Sequence, residues 1–415
     1  MSQRLREFGK IDLGKLLRID PRHQTLLPCL MILAVVVNKG ASFNAVGWNV
    51  TSYLVFALVI PSFVFMSFLY LRRGVMSRLV FVIVIFSALW LTSTIINGNE
   101  VKMCFYDGIS LVFIAMACDY YKDRFHMVIV TFAIAFSLCT YLNFLHLLAN
   151  PELWIIDDLK TNQGYLLGGN YNQMGSRLLC AVGTSVACLK YSKWWLLNVI
   201  PVTLVSIATL VIVGSMTSLT GILLFLVFCF IPSRRLMKVG IVSLLGFVFL
   251  FQVFVCFQGK GIEQNPLAIY IVEDVLGKDI TFTYRTYLWD AAAKVFVGSP
   301  LYGYGSVDRD WYYSHMSTIA MGPHNYIWGV VIAGGVLLLA VLSYICFLSF
   351  SKLFTTSDRN VIQIYAVSAV LFLMMLMENY PHFFIFAMLA LAYFAPRSTI
   401  VEKQDLSVVQ IPEVQ

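Results

Sequence analysis

The chain has 415 residues, of which 59% are hydrophobic and 12% charged, with a formal net charge of +7 and a mean hydropathy of +0.79. A soluble domain carries about a quarter charged residues, so a soluble globular protein is excluded. Repeated apolar runs of about 18 to 24 residues, nearly free of charge, make this an all-α, polytopic integral membrane protein. The first 25 residues are polar and basic, with no short apolar stretch before a small-residue cleavage site, so no cleavable signal peptide is expected.

In chain order, the amphipathic piece "IDLGKLLRID" is expected to lie on the membrane surface. About twelve spans follow, near 24–44, 50–71, 77–97, 103–119, 126–148, 170–189, 194–212, 214–232, 238–257, 326–349, 361–379 and 381–396. The fourth is the weakest, being short and holding Asp107. With the N-terminus inside, 20 of the 29 Lys and Arg fall on inner segments, which places both termini in the cytoplasm. Topology then explains the positive charge without a nucleic-acid partner. The expected organisation is one polytopic domain, 1–415, with a basic cytoplasmic N-terminus (1–25), a large external loop (258–325) and a cytoplasmic tail (397–415). Most of the nine Cys lie inside apolar runs, without zinc-type spacing, and read as small hydrophobes packed between helices.

Two outer segments interrupt the spans, about Asn150 to Asn170 and about Gln258 to Asn325. Loops of the second length are usually functional or contain their own structure. In "YRTYLWDAAAKVFVGSPLYGYG" a helix is predicted with Arg285, Trp289, Ala292 and Phe296 on one face and Lys294 facing water. It should stop at Gly298, with turns enforced by Pro300, Gly303 and Gly305. Arg285 thus heads the apolar face at a helix N-terminus, where positive potential and free N–H groups suit phosphate oxygens, as does the guanidinium fork. A structural salt bridge to Glu263, Glu273 or Asp274 is the alternative. The loop carries five Lys and Arg against seven Asp and Glu, so an anion would be held by one or two aimed residues.

Other polar residues could converge on the same place. Arg177 should lie about two turns into the sixth span, where an intramembrane charge marks a site or pathway. Hydroxyls in "GSMTSLTG", including Ser215, open the eighth span, with helix capping and interhelical bonding as the simpler role. Glu378 and Asn379 end the eleventh span, before Pro381 and His382. Aromatics gather in "DRDWYYSHM", as sugar-packing faces or as an interfacial belt; His315 within it is not favoured as a site residue. His324 and Asn325 stand directly before a long apolar run.

The ordered pattern "GGNYNQMG" (holding Asn172), a "GS…S" hairpin, a long loop, R-x3-W, "SPLYGYGS" and "PHNYIWGVVIAGG" resembles the O-antigen ligase and polysaccharide polymerase (Wzy/WaaL-like) superfamily of bacterial membranes. The resemblance runs from about Asn170 to Gly335, with 39 residues from Arg285 to His324. It implies an inverting, metal-independent glycosyltransferase of GT-C type, needing no cofactor, in the bacterial inner membrane with its active site on the external face. The donor would be a polyprenyl-diphosphate-linked oligosaccharide, and the hydroxyl of an acceptor glycan would attack its anomeric carbon. By resemblance, Arg285 would clamp the diphosphate, and His324 would accept the hydroxyl proton or position the acceptor. Asn325 would orient the imidazole or bind a sugar hydroxyl. Arg177 is a second candidate cation, with Asn172, Ser215 and Glu378 as further substrate-binding candidates. Many relatives carry an Arg near Ser215, where this chain reads "SMTSLT", which leaves the second phosphate contact open.

The leading expectation is a polymerase that joins lipid-linked repeat units into O-antigen or capsule, with a ligase moving the finished glycan to another acceptor as the alternative. Membrane lipid surrounds either, and a chain-length regulator and a flippase are the protein partners implied. A lipid-linked glycan flippase is less favoured, because neither an internal repeat nor midplane charges in both halves are evident.

Overall fold

A long run of Leu, Ile, Val and Phe can satisfy its backbone inside lipid only by coiling on itself, and every apolar run is helical over its described residues. The computed structural model describes residues 23–41, 55–154, 164–168, 171–275, 279–282, 284–316 and 322–408. The surface piece "IDLGKLLRID", most of the 150–170 segment and the last seven residues lie outside these.

The helices are α1 (His23–Gly40), α2 (Ile60–Arg73), α3 (Arg78–Ile96), α4 (Val101–Tyr120), α5 (Phe125–Ala149) and α6 (Met174–Ala187). Then come α7 (Leu196–Ile212), α8 (Met216–Phe230) and α9 (Arg234–Phe251), which runs on as a wider turn, Gln252–Cys256. The loop contributes α10 (Arg285–Gly298) and α11 (Arg309–His315); α12 (Tyr326–Phe350), α13 (Arg359–Met374) and α14 (His382–Val408) complete the chain. No strand occurs among the described residues. Six helices there are long and apolar enough to cross a membrane, and Leu26–Gly40, Met216–Phe230, Arg359–Met374 and His382–Pro396 are apolar but shorter.

Phe86, Phe113, Phe136, Tyr365 and Phe384 are fully buried where α3, α4, α5, α13 and α14 meet. By contrast α7 and α9 leave Leu197, Leu204, Phe247 and Phe249 uncovered, as lipid-facing helices do. Asp107, the oddity of the fourth apolar run, pairs with Lys39 of α1. Buried Asp119 at the other end of α4 accepts from Tyr70 and lies 3.8 Å from Arg73 and 3.6 Å from Lys122.

Three boundaries differ from the sequence expectation. Helix α6 begins at Met174, so Arg177 sits in its first turn and not two turns in. Helix α13 ends at Met374, which moves Glu378 out of the helix and into the connection before α14. Helix α14 continues through Pro396 to Val408 where a polar tail was expected; Glu402, Lys403 and Gln404 are good helix formers and propagate it.

Helix α12 is broken. Gly334 (φ −148°, ψ 15°) and Gly335 (φ 63°, ψ −160°) interrupt it about 12 Å from its start. The turn 299–306 fills the break. Tyr304 N donates to Ile332 O (2.7 Å) and Gly305 N to Ala333 O (2.8 Å), while Val336 N donates to Pro300 O (2.8 Å). The same turn is pinned to the end of α3, where Ser93 Oγ donates to Tyr302 O (2.6 Å), Asn97 Nδ2 to Gly303 O (3.2 Å) and Ser306 N to Thr94 Oγ1 (2.9 Å). Non-helical backbone within a span survives when protein satisfies its polar groups. The glycines are sterically required: a Cβ on Gly303 would stand 2.4 Å from Ile332 O, and one on Gly335 2.3 Å from Leu301 O. A second apolar cluster, with Trp289, Ala292, Trp328, Ile332 and Leu376, seats α10 against this end of α12.

Candidate functional site

Helix α10 begins at Arg285 and ends at Gly298, with Trp289 and Ala292 fully buried beneath it and Lys294 exposed beside Asp290 (2.9 Å). Tyr284, in the left-handed region at φ 64°, turns the chain sharply into the helix. Arg285 Nε donates to Met377 O (3.0 Å) and its Nη1 to Phe282 O (3.1 Å). Glu263 accepts instead from Thr286 Oγ1 (2.7 Å). Among the described residues no carboxylate lies within ion-pair distance of Arg285, so the structural salt bridge weighed from sequence is not made there.

His324 follows Pro323 with φ 44°. Its Nδ1 lies 3.4 Å from Glu378 Oε2; Glu378 is 3% exposed and His324 28%. The other Glu378 oxygen accepts from Asn379 N (3.2 Å). Among the described residues the non-glycines with positive φ are Phe282, Tyr284 and His324. Two of these immediately precede Arg285 and the third is the histidine; strain of this kind persists only where surrounding structure enforces it, and it clusters at functional sites.

Both side chains meet the connection 375–380. Residue by residue, Met375 O accepts from Tyr326 N (3.0 Å) and Leu376 O from Asn325 Nδ2 (3.1 Å). Met377 O takes Arg285, Glu378 faces His324, and Asn379 O accepts from Gln173 Nε2 (3.2 Å). Tyr380 Oη lies 3.5 Å from Ser218 Oγ. One strip thus gathers α6, α8, α10 and the start of α12. Arg285 and His324, 39 residues apart in sequence, engage adjacent residues of it.

Asn325 is fully buried and serves as the N-cap of α12: its Oδ1 accepts from Trp328 N (2.9 Å), while Nδ2 donates to Gln252 Oε1 (2.9 Å) and Leu376 O. Its carboxamide is directed into protein and makes no bond to the imidazole, so it holds the loop that presents His324. On the α6 side, Ser215 Oγ donates to Asn172 Oδ1 (3.0 Å) and Ser218 Oγ (2.9 Å), and Ser218 Oγ donates to Asn172 O (3.0 Å). Ser215 stands at the N-cap position of α8 without making the capping bond; its hydroxyl ties α8 to α6. Arg177 is 7% exposed, donates to Gln173 O (3.0 Å) and lies 4.7 Å above the Phe384 ring. Its Nε is buried without a hydrogen-bond partner, and no described carboxylate pairs with it. Burial pushes the Tyr380 phenol up; the Ser218 hydrogen bond opposes this, Glu378 adds to it, and Arg285 and Arg177 pull it down.

Two other histidines belong elsewhere. His382 Nδ1 pairs with Tyr326 Oη (2.6 Å) and meets Trp90 edge-on. His315 stacks on Trp311 at 4.3 Å and bonds within its own helix. Among the described residues no group of three or more His, Cys, Asp and Glu comes together. Sequence reasoning missed Tyr380, Gln173 and the Met377 carbonyl. A polar "ENYPH" between two apolar runs was the available signal, and Glu378 alone was taken from it.

Residues 201–343 match the family model described as O-antigen ligase. The matched segment, about a third of the chain, runs from α7 to α12 and includes Ser215, Arg285, the inserted turn, His324 and Asn325. Asn172, Arg177 and Glu378 lie outside it. No curated protein matches the chain, and no solved structure does. The match overlaps residues 201–335 of the resemblance read from the sequence.

Proposed function

We propose that the protein is a polymerase that joins polyprenyl-diphosphate-linked oligosaccharide repeat units into a surface polysaccharide, O-antigen or capsule. It acts at the external face of a bacterial inner membrane, with both termini cytoplasmic. A single observation carries this: a guanidinium without a carboxylate partner among the described residues and a carboxylate-backed imidazole engage adjacent residues, Met377 and Glu378, in the connection before α14.

The acceptor hydroxyl attacks the donor's anomeric carbon from the side opposite the diphosphate. A new C–O bond forms as the bond to the diphosphate oxygen breaks, and the configuration inverts. The leaving electron pair settles on the diphosphate, whose charge Arg285 neutralises through its fork. Arg177, buried with a free Nε, is the second cation. With Nδ1–H directed to Glu378, His324 offers Nε2 to the hydroxyl proton, and the carboxylate stabilises the imidazolium that forms. Removing the charge on either partner weakens the transition state more than the ground state. No metal enters this mechanism.

The matched family description, O-antigen ligase, favours a second reading, in which the finished glycan passes to another acceptor. Purified protein in lipid nanodiscs, given only a polyprenyl-diphosphate-linked repeat unit, separates the two. A size ladder of lipid-linked products establishes the polymerase. No ladder, but transfer when a separate acceptor is added, establishes the ligase; no transfer under either condition refutes both.

A further inference from the structure

At the end of the bundle opposite the long loop, a groove of about 410 Å³ opens between α3 and α12. Arg78, Phe81 and Ile85 line one side, and Ala340, Val341 and Tyr344 the other. The wall is apolar and uncovered: Phe81 is 56% and Tyr344 45% exposed. From Arg78 to Ile85 it extends about 10 Å along the helix. Two polar groups lie at it, the Arg78 guanidinium and the Tyr344 hydroxyl, and neither makes a hydrogen bond or ion pair among the described residues.

The cation is not isolated from others. Arg72, next to last in α2, lies six residues earlier, and the neighbouring Leu71, Val75 and Met76 are all exposed. Arg73 differs, being spent on Asp119 (3.8 Å). Exposed apolar side chains alternating with unpaired arginines fit the depth where headgroups meet acyl chains. A second protein helix would cover the apolar wall but leave Arg78 without an acid. A zwitterionic lipid brings a phosphate whose charge its own ammonium offsets, so it matches the Arg78 cation less well. An acyl chain topped by an anion satisfies both.

We infer that this groove is a binding site for one anionic glycerophospholipid of the leaflet opposite the long loop, its phosphate on Arg78 and Tyr344 and one acyl chain along Phe81, Ile85 and Val341. The site is independent of the proposed glycosyl transfer and shares no residue with it.

The test uses the full chain in detergent micelles titrated with phosphatidylglycerol or phosphatidylcholine of identical chains, with retained lipid read by native mass spectrometry. Wild-type protein should retain one phosphatidylglycerol in preference to phosphatidylcholine. One arginine near an anionic surface contributes about 1 kcal/mol, so Arg78→Gln should weaken that preference about five-fold. Ala340→Phe, which fills the groove from an exposed position, should abolish retention of the lipid. Arg78→Gln alters only an exposed side chain, so it stands as the test even if the bulkier variant fails to fold. Equal retention of both lipids, or a preference unchanged in Arg78→Gln, overturns the inference. So does a doubled mass that Ala340→Phe returns to the monomer, which would make the groove a contact between two copies of the chain.

Discussion

Replacing Gly303 with Ala tests whether the inserted turn holds the broken helix. Gly303 has φ +63°, and its new Cβ would stand 2.4 Å from Ile332 O, 2.6 Å from Gly334 N and 2.8 Å from Ala333 C. All three atoms are backbone, so no side chain can rotate away. The left-handed conformation costs a residue with a Cβ about 1–2 kcal/mol. If the turn retreats, Ile332 O and Ala333 O lose their donors, and each buried acceptor left bare costs about 1–3 kcal/mol. The total, about 3–8 kcal/mol, is a large share of a typical stability of about 5–15 kcal/mol. Gly246→Ala is the control, because a Cβ there meets nothing within 4 Å in the exposed middle of α9, and Ala favours a helix by about 1 kcal/mol. Thermal unfolding of both variants in identical micelles should show a much lower midpoint for Gly303→Ala and an unchanged or slightly raised one for Gly246→Ala. A Gly303→Ala protein that melts with the wild type would refute the steric account of the insertion.

Arg285→Lys should lose activity almost as fully as Arg285→Ala, at least about 100-fold in kcat/KM, because a single ammonium cannot reproduce the fork; full activity with Lys removes the two-pronged contact. Glu378→Gln keeps the shape but not the charge facing His324, and should lower kcat about 10- to 100-fold with little change in KM; an equal rise in KM would assign Glu378 to substrate binding instead. Arg177→Met removes a buried cation without an acid and should leave stability unchanged or raise it, while turnover of the lipid-linked donor falls; reduced stability with normal turnover would make Arg177 purely structural.

Much of the fold was legible because lipid allows so few solutions: an apolar run of sufficient length becomes a helix, whatever its neighbours do. Helix α10 was equally legible, since Arg285, Trp289 and Ala292 fall on one face and Gly298 stops it. The break in α12 was not. The glycines announced turns, but that turn 299–306 fills a gap opened by Gly334 and Gly335 depends on two segments meeting in space. The same holds for the site. Arg285 and His324 could be singled out by residue type and by family pattern, yet their common platform, residues 375–380, bonds chiefly through carbonyls that no sequence pattern marks. Asn325 illustrates the limit: the resemblance implied that it orients the imidazole or binds a sugar hydroxyl, whereas its carboxamide is consumed by Trp328, Gln252 and Leu376.

The central claim is that Arg285 binds the donor's diphosphate while His324, held by Glu378, takes the acceptor's proton. Donor binding and single-turnover rate, measured on the same nanodisc preparations of wild type, Arg285→Ala and His324→Ala, test it most directly. The account predicts that Arg285→Ala loses donor binding, whereas His324→Ala binds donor within a few-fold of wild type and reacts at least about 100-fold more slowly. Near-normal turnover by His324→Ala, or unaltered donor binding by Arg285→Ala, would contradict it.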